Sequence, residues 1–544
     1  MQCTVAPPPA DGAQIGQPPG TALARADKRT PPCAADDLHM RQLTSLDAQF
    51  LAMENDRVQG HVSVLGIYDS HTASGEPLDA ALVRGVISER LHLLPTFRWR
   101  LAQVPFSLDY PYWVDDGSFD IEYHVRELAL PAPGDQRQLA EQVARIIGRQ
   151  LDRARPLWEV YVIHGLDDGG VAVLTKMHHA AVDGVSGAEV MSILLDDTTG
   201  RDREAAPTIV AEKYPSEVEM LGRGLVGLAS QPLRVMRAGP TALPHLDDVP
   251  TIRHLPGVKT IARSSRLVKR ALRAGAGASG FRGSDVTAPR TRFQARVSPH
   301  RRVAFGSMSL AEVKAVKNAL GCTVNDVVLA ICTAGLRSWL DKQGELPAEP
   351  LASFIPMSVR TPEQQGTFGN RVSVMITELP TDVADPVERV RRINESMSTA
   401  KQRQRALPAS LLQDANHFIP PALFAQAARS LSRLAGMRGL NQPANAMISN
   451  VPGPSTPLYL GGARQRAQFP VSGVLDGIGI NITVMSYQDS LEFGIVVDRE
   501  LVDDPWPILA ALCDGLEELR NATQATQPKA PTRRSASNRR KATS

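Results

Sequence analysis

Apolar positions along this chain recur with two periods. From Leu78 to Leu93 the residues Leu82, Val83, Val86, Ile87 and Leu91 stand at helical spacing, which predicts one buried face of a helix. Gln138 to Leu151 predicts another. His61–Tyr68 is rich in aliphatic and β-branched residues and predicts a strand. The segment Arg155-Pro156-Leu157-Trp158 leads into a second strand ending near Ile163. The turn Asp167-Asp168-Gly169-Gly170 returns the chain into a third strand through Thr175. A later half opens at Arg301. Ser309 and Glu312 cap a helix that Gly321 should stop, and Thr323 begins a further helix through Val328, Leu329, Ile331 and Leu336. Strands are predicted at Phe354–Arg360, Val372–Ile376, Ala446–Val451, Gly477–Val484 and Leu491–Asp498. Helices are predicted at Pro386–Gln402, Pro421–Leu434 and Pro505–Ala522.

One junction between these elements carries candidate chemistry. The strand before Thr175 runs into Lys176-Met177-His178-His179-Ala180-Ala181-Val182-Asp183-Gly184, and Ser186 with Glu189 forms a capping-box signature for a following helix. The two histidines therefore sit at a strand end and Asp183-Gly184 in the turn, where rigid elements hold reactive groups while leaving them accessible. Alternation along a strand sends neighbouring side chains to opposite faces. His178 and His179 thus do not share one cavity, which argues against a metal site, as does the missing helical HExxH spacing. One imidazole can face a cleft while the other packs. With a pKa of about 6.5, imidazole is suited to taking a proton from a hydroxyl or amine at neutral pH. Asp183 fits either a catalytic partner or a structural ion. Asn325 and Asp326 lie in the first turn of a helix, where capping and the helix dipole would explain both. Pro156-Leu157-Trp158 reads by itself as a hydrophobic strand entry.

Length and charge set the frame. A chain of 544 residues predicts two domains or two large halves of one body. Its 43% hydrophobic and 22% charged content is that of an ordinary globular protein, and a net charge of +3 gives no sign of nucleic-acid binding. Five scattered cysteines without a CxxC point to neither a zinc site nor a disulfide framework and fit a reducing cytosol. No stretch approaches the roughly 18 apolar residues of a membrane span, and no apolar signal-peptide core stands at the start. Residues 1–39, rich in Pro, Ala, Gly and Asp, and the basic stretch 523–544 are expected to be disordered tails, and Met40 is a plausible start. The segment 201–300 is expected to be a crossover linker between halves 40–200 and 301–522. It holds a weakly amphipathic piece around Leu221–Met236, interrupted by glycines and Pro232. From Arg253 to Arg302 it carries thirteen lysines and arginines against one acidic residue, Asp285. Val258–Ala274 fits a basic amphipathic helix, either a solvated connection or a segment attracted to anionic lipid or a phosphorylated substrate.

The ordered set Leu46-Asp47-Ala48-Gln49-Phe50-Leu51, Pro156-Leu157-Trp158, His178-His179-Ala180-Ala181-Val182-Asp183-Gly184, Asn325-Asp326 and Asn450-Val451-Pro452-Gly453-Pro454 resembles the bacterial wax ester synthase/diacylglycerol acyltransferase family. The histidine motif alone marks its wider superfamily of chloramphenicol acetyltransferases and condensation domains. The resemblance spans about Leu43 to Arg520. It implies an α/β architecture of α+β type: two chloramphenicol-acetyltransferase-like halves, each a mixed sheet flanked by helices, with a central channel between them. It further implies transfer of a fatty acyl group from acyl-CoA to diacylglycerol or a long-chain alcohol. His179 would be general base, His178 a supporting residue, Asp183 a structural ion paired with Arg98, and Gly184 part of the turn. Pro156, Leu157, Trp158, Asn325 and Asp326 would line the channel or bind substrate. No metal or cofactor is implied, since acyl-CoA is a co-substrate. Contact with a membrane or lipid-droplet surface would be peripheral, with the protein in the cytoplasm or at the inner face of the membrane. Two alternatives stay open at this point: a condensation-type enzyme using a carrier-bound acyl group, and a non-catalytic lipid-surface protein of the same fold.

Overall fold

The computed structural model describes residues 40–182, 190–200, 214–242, 288–358, 372–405 and 442–526. The first half begins with β1 (Arg41–Gln42) and α1 (Ser45–Met53), whose N-cap Thr44 closes a capping box with Asp47. The apolar run His61–Tyr68 is β2, and the helical spacing after Leu78 becomes α2 (Ala80–Arg90), capped by the Asp79 carboxylate. Two short strands, β3 (Trp99–Ala102) and β4 (Tyr112–Asp115), pair with each other, and β1 adds to β4. A one-turn α3 (Ile121–His124), β5 (Val125–Ala129), α4 (Gln136–Ile147), β6 (Trp158–His164) and β7 (Val171–His178) come next.

Part of the segment 201–300 is helical. Glu217–Ala242 is a 26-residue helix, α5, that continues through four glycines and two prolines, Pro232 and Pro240. Gly224 and Gly227 allow its close approach to the Val104–Asp109 segment: a Cβ on Gly227 would lie 2.0 Å from Asp109 Oδ2. Tertiary packing thus overrides the helix-breaking tendency read from the sequence. Val258–Ala274, Pro421–Leu434, residues 1–39 and 527–544 lie outside the described residues.

The second half comprises β8 (Arg301–Ser309), α6 (Leu310–Leu320), α7 (Val324–Lys342), β9 (Leu351–Ser358), β10 (Val372–Leu379), α8 (Pro386–Arg405), β11 (Ala446–Val451), β12 (Tyr459–Leu460), β13 (Ala463–Val471), β14 (Ile480–Tyr487), β15 (Ser490–Asp498) and α9 (Trp506–Thr526). Ser309 and Thr323 cap α6 and α7, and Gly321 ends α6 in the left-handed region at φ 64°, as the sequence predicts. The last helix extends past Ala522, so residues 523–526 belong to it rather than to a tail.

Both large sheets are mixed. The second has order β10-β9-β11-β14-β15-β8, with β11 parallel to its two neighbours. The first has order β12-β13-β2-β7-β6-β5, with only β5 and β6 parallel. Two of its six strands therefore come from residues 459–471, beyond the second half's own strands β8–β11. Sequence order does not reveal this exchange, because β13 would pair equally well by pattern with any strand of alternating apolar residues. It also packs against β14 and β15. The seam between halves is closed by Leu65, Leu174, α4, Phe305, Phe469 and Val496 in one apolar cluster. The opposite face of β2 and β7 packs with α2 and Trp158. A third cluster surrounds α7 in the second half.

Candidate active site

β7 ends against β2, with His178 directly opposite His61. Backbone hydrogen bonds hold the chain around the two histidines. The His178 N–H donates to Leu157 O at 2.9 Å, the His179 N–H donates to Gly60 O at 2.8 Å, and the Ala181 N–H returns to His178 O at 2.9 Å. The strand thus curls tightly just past the histidine pair. His178 is fully buried. His179 is half-buried, and its ring lies flat over Phe50 at 4.7 Å between centroids, 17° from parallel.

The buried histidine is committed to the scaffold. Its Nδ1 accepts the Ala180 N–H at 3.0 Å, so in the neutral ring the proton sits on Nε2. That atom faces Glu54 Oε2 at 3.7 Å, an electrostatic contact longer than a hydrogen bond. Glu54 sits at the C-cap of α1, only 1% exposed, and accepts from Arg153 Nη2 at 2.7 Å, Arg153 Nε at 3.2 Å and the Gly60 N–H at 3.1 Å. Burial alone would raise its carboxyl. The adjacent His178 ring, and the hydrogen bonds and charge of Arg153, outweigh this and hold it at about 2. Gly60 fits because it has no side chain: a Cβ there would lie 2.6 Å from His178 Nε2.

A second buried polar chain lies behind this one on β7. Lys176, wholly buried, donates to Ile146 O at 3.2 Å and Arg149 O at 2.6 Å, and its Nζ lies 3.5 Å from Glu159 Oε2. Burial pulls its ammonium below the ordinary value, against the pull of Glu159. His61 Nε2 bonds Ile147 O at 3.0 Å, and burial first, then the charges of Lys176 and His178, push it well below the usual imidazole range. These donors bond carbonyls at and just past the C-terminal end of α4, where helical partners run out.

Two family models match the chain: the wax ester synthase/diacylglycerol acyltransferase catalytic domain over residues 43–328 and the corresponding C-terminal domain over 368–520. The chain belongs to this family. A Mycobacterium tuberculosis protein provisionally named a diacylglycerol O-acyltransferase is 34% identical over 484 residues, covering 88% of this chain and 90% of that one. A second, of the same provisional name and organism, is 35% identical over 496 residues, covering 88% and 99%. Among solved structures, the wax ester synthase/diacylglycerol acyltransferase of Marinobacter aquaeolei VT8 aligns with a TM-score of 0.62 at 31% identity, over 89% of this chain and all of that one. The chain is accordingly an acyltransferase of the kind the family name states.

Set in this enzyme, the sequence motifs hold distinct places. Phe50 of the Leu46–Leu51 stretch forms the floor under His179. Pro156-Leu157-Trp158 acts through Leu157 O on His178. Trp158, 1% exposed, is sandwiched between Phe97 at 4.2 Å and His124 at 4.4 Å, with its indole N–H on Phe97 O. It is a buried wall piece. Asp326 accepts from the Thr323 N–H at 2.9 Å and from Asn394 Nδ2 at 2.8 Å, which gives it a capping and bridging task. Asn450 of the Asn450–Pro454 motif reaches Asn325 Oδ1 at 3.4 Å, so two motifs 125 positions apart meet. Arg98 pairs with Asp115 at 3.4 Å. Asp183 and Gly184 lie outside the described residues. Among the described residues no cluster of His, Cys, Asp or Glu is arranged to hold a metal. Glu54, Arg153, Gly60 and Lys176 escaped sequence reasoning. Glu54 and Arg153 stand 99 positions apart with no local spacing to join them, and only the position of Glu54 just past an apolar helix hinted at a role.

Proposed function

We propose that this enzyme transfers the acyl group of acyl-CoA to the hydroxyl of diacylglycerol, and to long-chain alcohols, with His179 as general base. The reading is carried by the division of labour between the two histidines. His178 is buried and used by Glu54 and Ala180, whereas His179 is half-buried on an aromatic floor and held by its own backbone. His179 takes the hydroxyl proton as the alcohol oxygen attacks the thioester carbonyl. The tetrahedral intermediate collapses with cleavage of the C–S bond, and the proton passes to the leaving thiolate. The thioester is already activated, so positioning and one base suffice. Asp183 would hold the loop beyond the histidines through an ion pair, with Arg98 as a candidate partner. Pro156, Leu157, Trp158, Asn325 and Asp326 support the walls of a channel along the seam of the halves.

Contact with a lipid surface would be peripheral. No single described helix is long and apolar enough to cross a membrane. One bent pair, α6 with α7, passes by length and composition, but α7 forms the core of the second half. Phe106, Val218 and Val226 are 83%, 80% and 70% exposed around α5, which supports an interfacial face. The deciding experiment is thiol release from acyl-CoA with diacylglycerol, a fatty alcohol and no acceptor. Release that depends on acceptor and is lost in His179→Ala supports the reading. Acceptor-independent release, or none with either alcohol, overturns it.

A further inference from the structure

A cleft of about 550 Å³ opens on the seam between α4 and the start of β8, away from the two histidines. Its rim carries Arg145, Arg149 and Arg499, and Arg301 and Arg302 line it from the second half. His300 adds a further basic group, and Glu141, 3.7 Å from Arg145, is the one acidic residue of the lining. Arg301 is tied down: it donates to Gln59 Oε1 at 2.8 Å and to Arg57 O, and pairs with Asp498 at 3.5 Å. Arg149, Arg302 and Arg499 have no carboxylate at ion-pair distance among the described residues, and the Arg302 Nε is buried without a hydrogen-bond partner.

Like charges gathered from two halves of a protein repel one another unless an anion joins them. The obvious obstacle to an anion here is the C-terminus of α4, whose free carbonyls carry partial negative charge. Carbonyls at and just past that end are already occupied: Ile146 O and Arg149 O by Lys176, Ile147 O by His61, and Gly148 O by Gln59. The cleft therefore offers positive groups with its negative ones neutralised. Its volume lies in the range of sites for nucleotide-sized ligands. Arg301 and Gln59 line a second, smaller cavity together with His61, and Gln59 precedes Gly60, whose carbonyl holds the His179 N–H.

We propose that this cleft binds the phosphate-bearing adenosine end of the acyl-CoA donor, its diphosphate and 3′-phosphate meeting Arg149, Arg302 and Arg499. The assignment rests on the acyl-CoA reading above and adds where the donor is held. Arginine pairs with phosphate through two parallel N–H bonds, so single losses are felt strongly.

The test uses the full chain and adenosine 3′,5′-bisphosphate as probe, titrated calorimetrically into wild type and into Arg149→Ala, Arg499→Ala and their double variant. Unchanged melting temperatures establish that each variant is folded. Saturable binding is expected, weakened about tenfold per arginine and further by salt. In steady state the KM for acyl-CoA rises with kcat retained, while the KM for the acyl thioester of N-acetylcysteamine, which lacks the nucleotide, stays put. Absence of bisphosphate binding, or equal rises in KM for both thioesters, overturns the assignment. Flotation with phosphatidylglycerol vesicles separates the other phosphate source: loss of flotation in variants that still bind the bisphosphate makes the cleft a lipid headgroup site and also overturns it. If neither thioester is turned over, the acyl-transfer reading falls, and the calorimetric titration still decides whether the cleft binds a nucleotide.

Discussion

Replacing Glu54 by glutamine isolates the charge at the centre of the site. The shape is kept, and the one amide oxygen can still accept from either the Gly60 N–H or Arg153, which bond different oxygens of the carboxylate. What is lost is the negative charge facing Arg153 and His178. The carboxyl is held at about 2 in the fold against an ordinary 4.5. That difference corresponds to about 3 kcal/mol of stability at pH 7. The sign is that of a depressed acid: the contribution is fully present above the unfolded value and drains as pH falls towards the folded one. Since glutamine mimics the protonated acid, Glu54→Gln should lower unfolding free energy by about 3 kcal/mol at pH 7 and by roughly half as much at pH 3. Urea unfolding of both proteins across this range measures the gap directly. A gap that is small at pH 7, or constant from pH 7 to pH 3, would refute the claim that Glu54 is a buried, ionised partner of Arg153 and His178.

The same geometry sets three further outcomes. His179→Ala should cost about 10²–10⁴-fold in kcat with an unchanged melting temperature, whereas His178→Ala should lower stability more and turnover less; paired thiol-release and melting assays check the ranking. Phe50→Leu removes the ring under His179, a contact of about 0.5–1.5 kcal/mol, and should lower kcat at nearly constant KM and melting temperature. Gly60→Ala places a carbon 2.6 Å from His178 Nε2, so the ring or the β2 entry must shift. A loss of about 1–3 kcal/mol by urea unfolding is expected, and wild-type stability would show that the ring moves freely.

Much of this enzyme was legible in its sequence because the signals are local. A cap such as Ser309, a stop such as Gly321 and the apolar run His61–Tyr68 act through neighbours a few residues away, so their elements fall where the pattern puts them. The junction of β7 with the histidine motif is of this kind, and so is the reading that the two neighbouring side chains part, His178 being buried and His179 half-buried. Tertiary structure alone decided the rest. That β12 and β13 cross into the first sheet, that α5 forms through glycines and two prolines, and that Glu54 joins Arg153 all depend on contacts between distant segments. So does the gathering of arginines from α4, β8 and the turn after β15 into one cleft. Backbone propensity and periodicity are properties of a window of chain. The pairing of two charges, or of two strand edges, is worth its energy only when folding brings them together in a buried, low-dielectric place. No window of sequence carries that information.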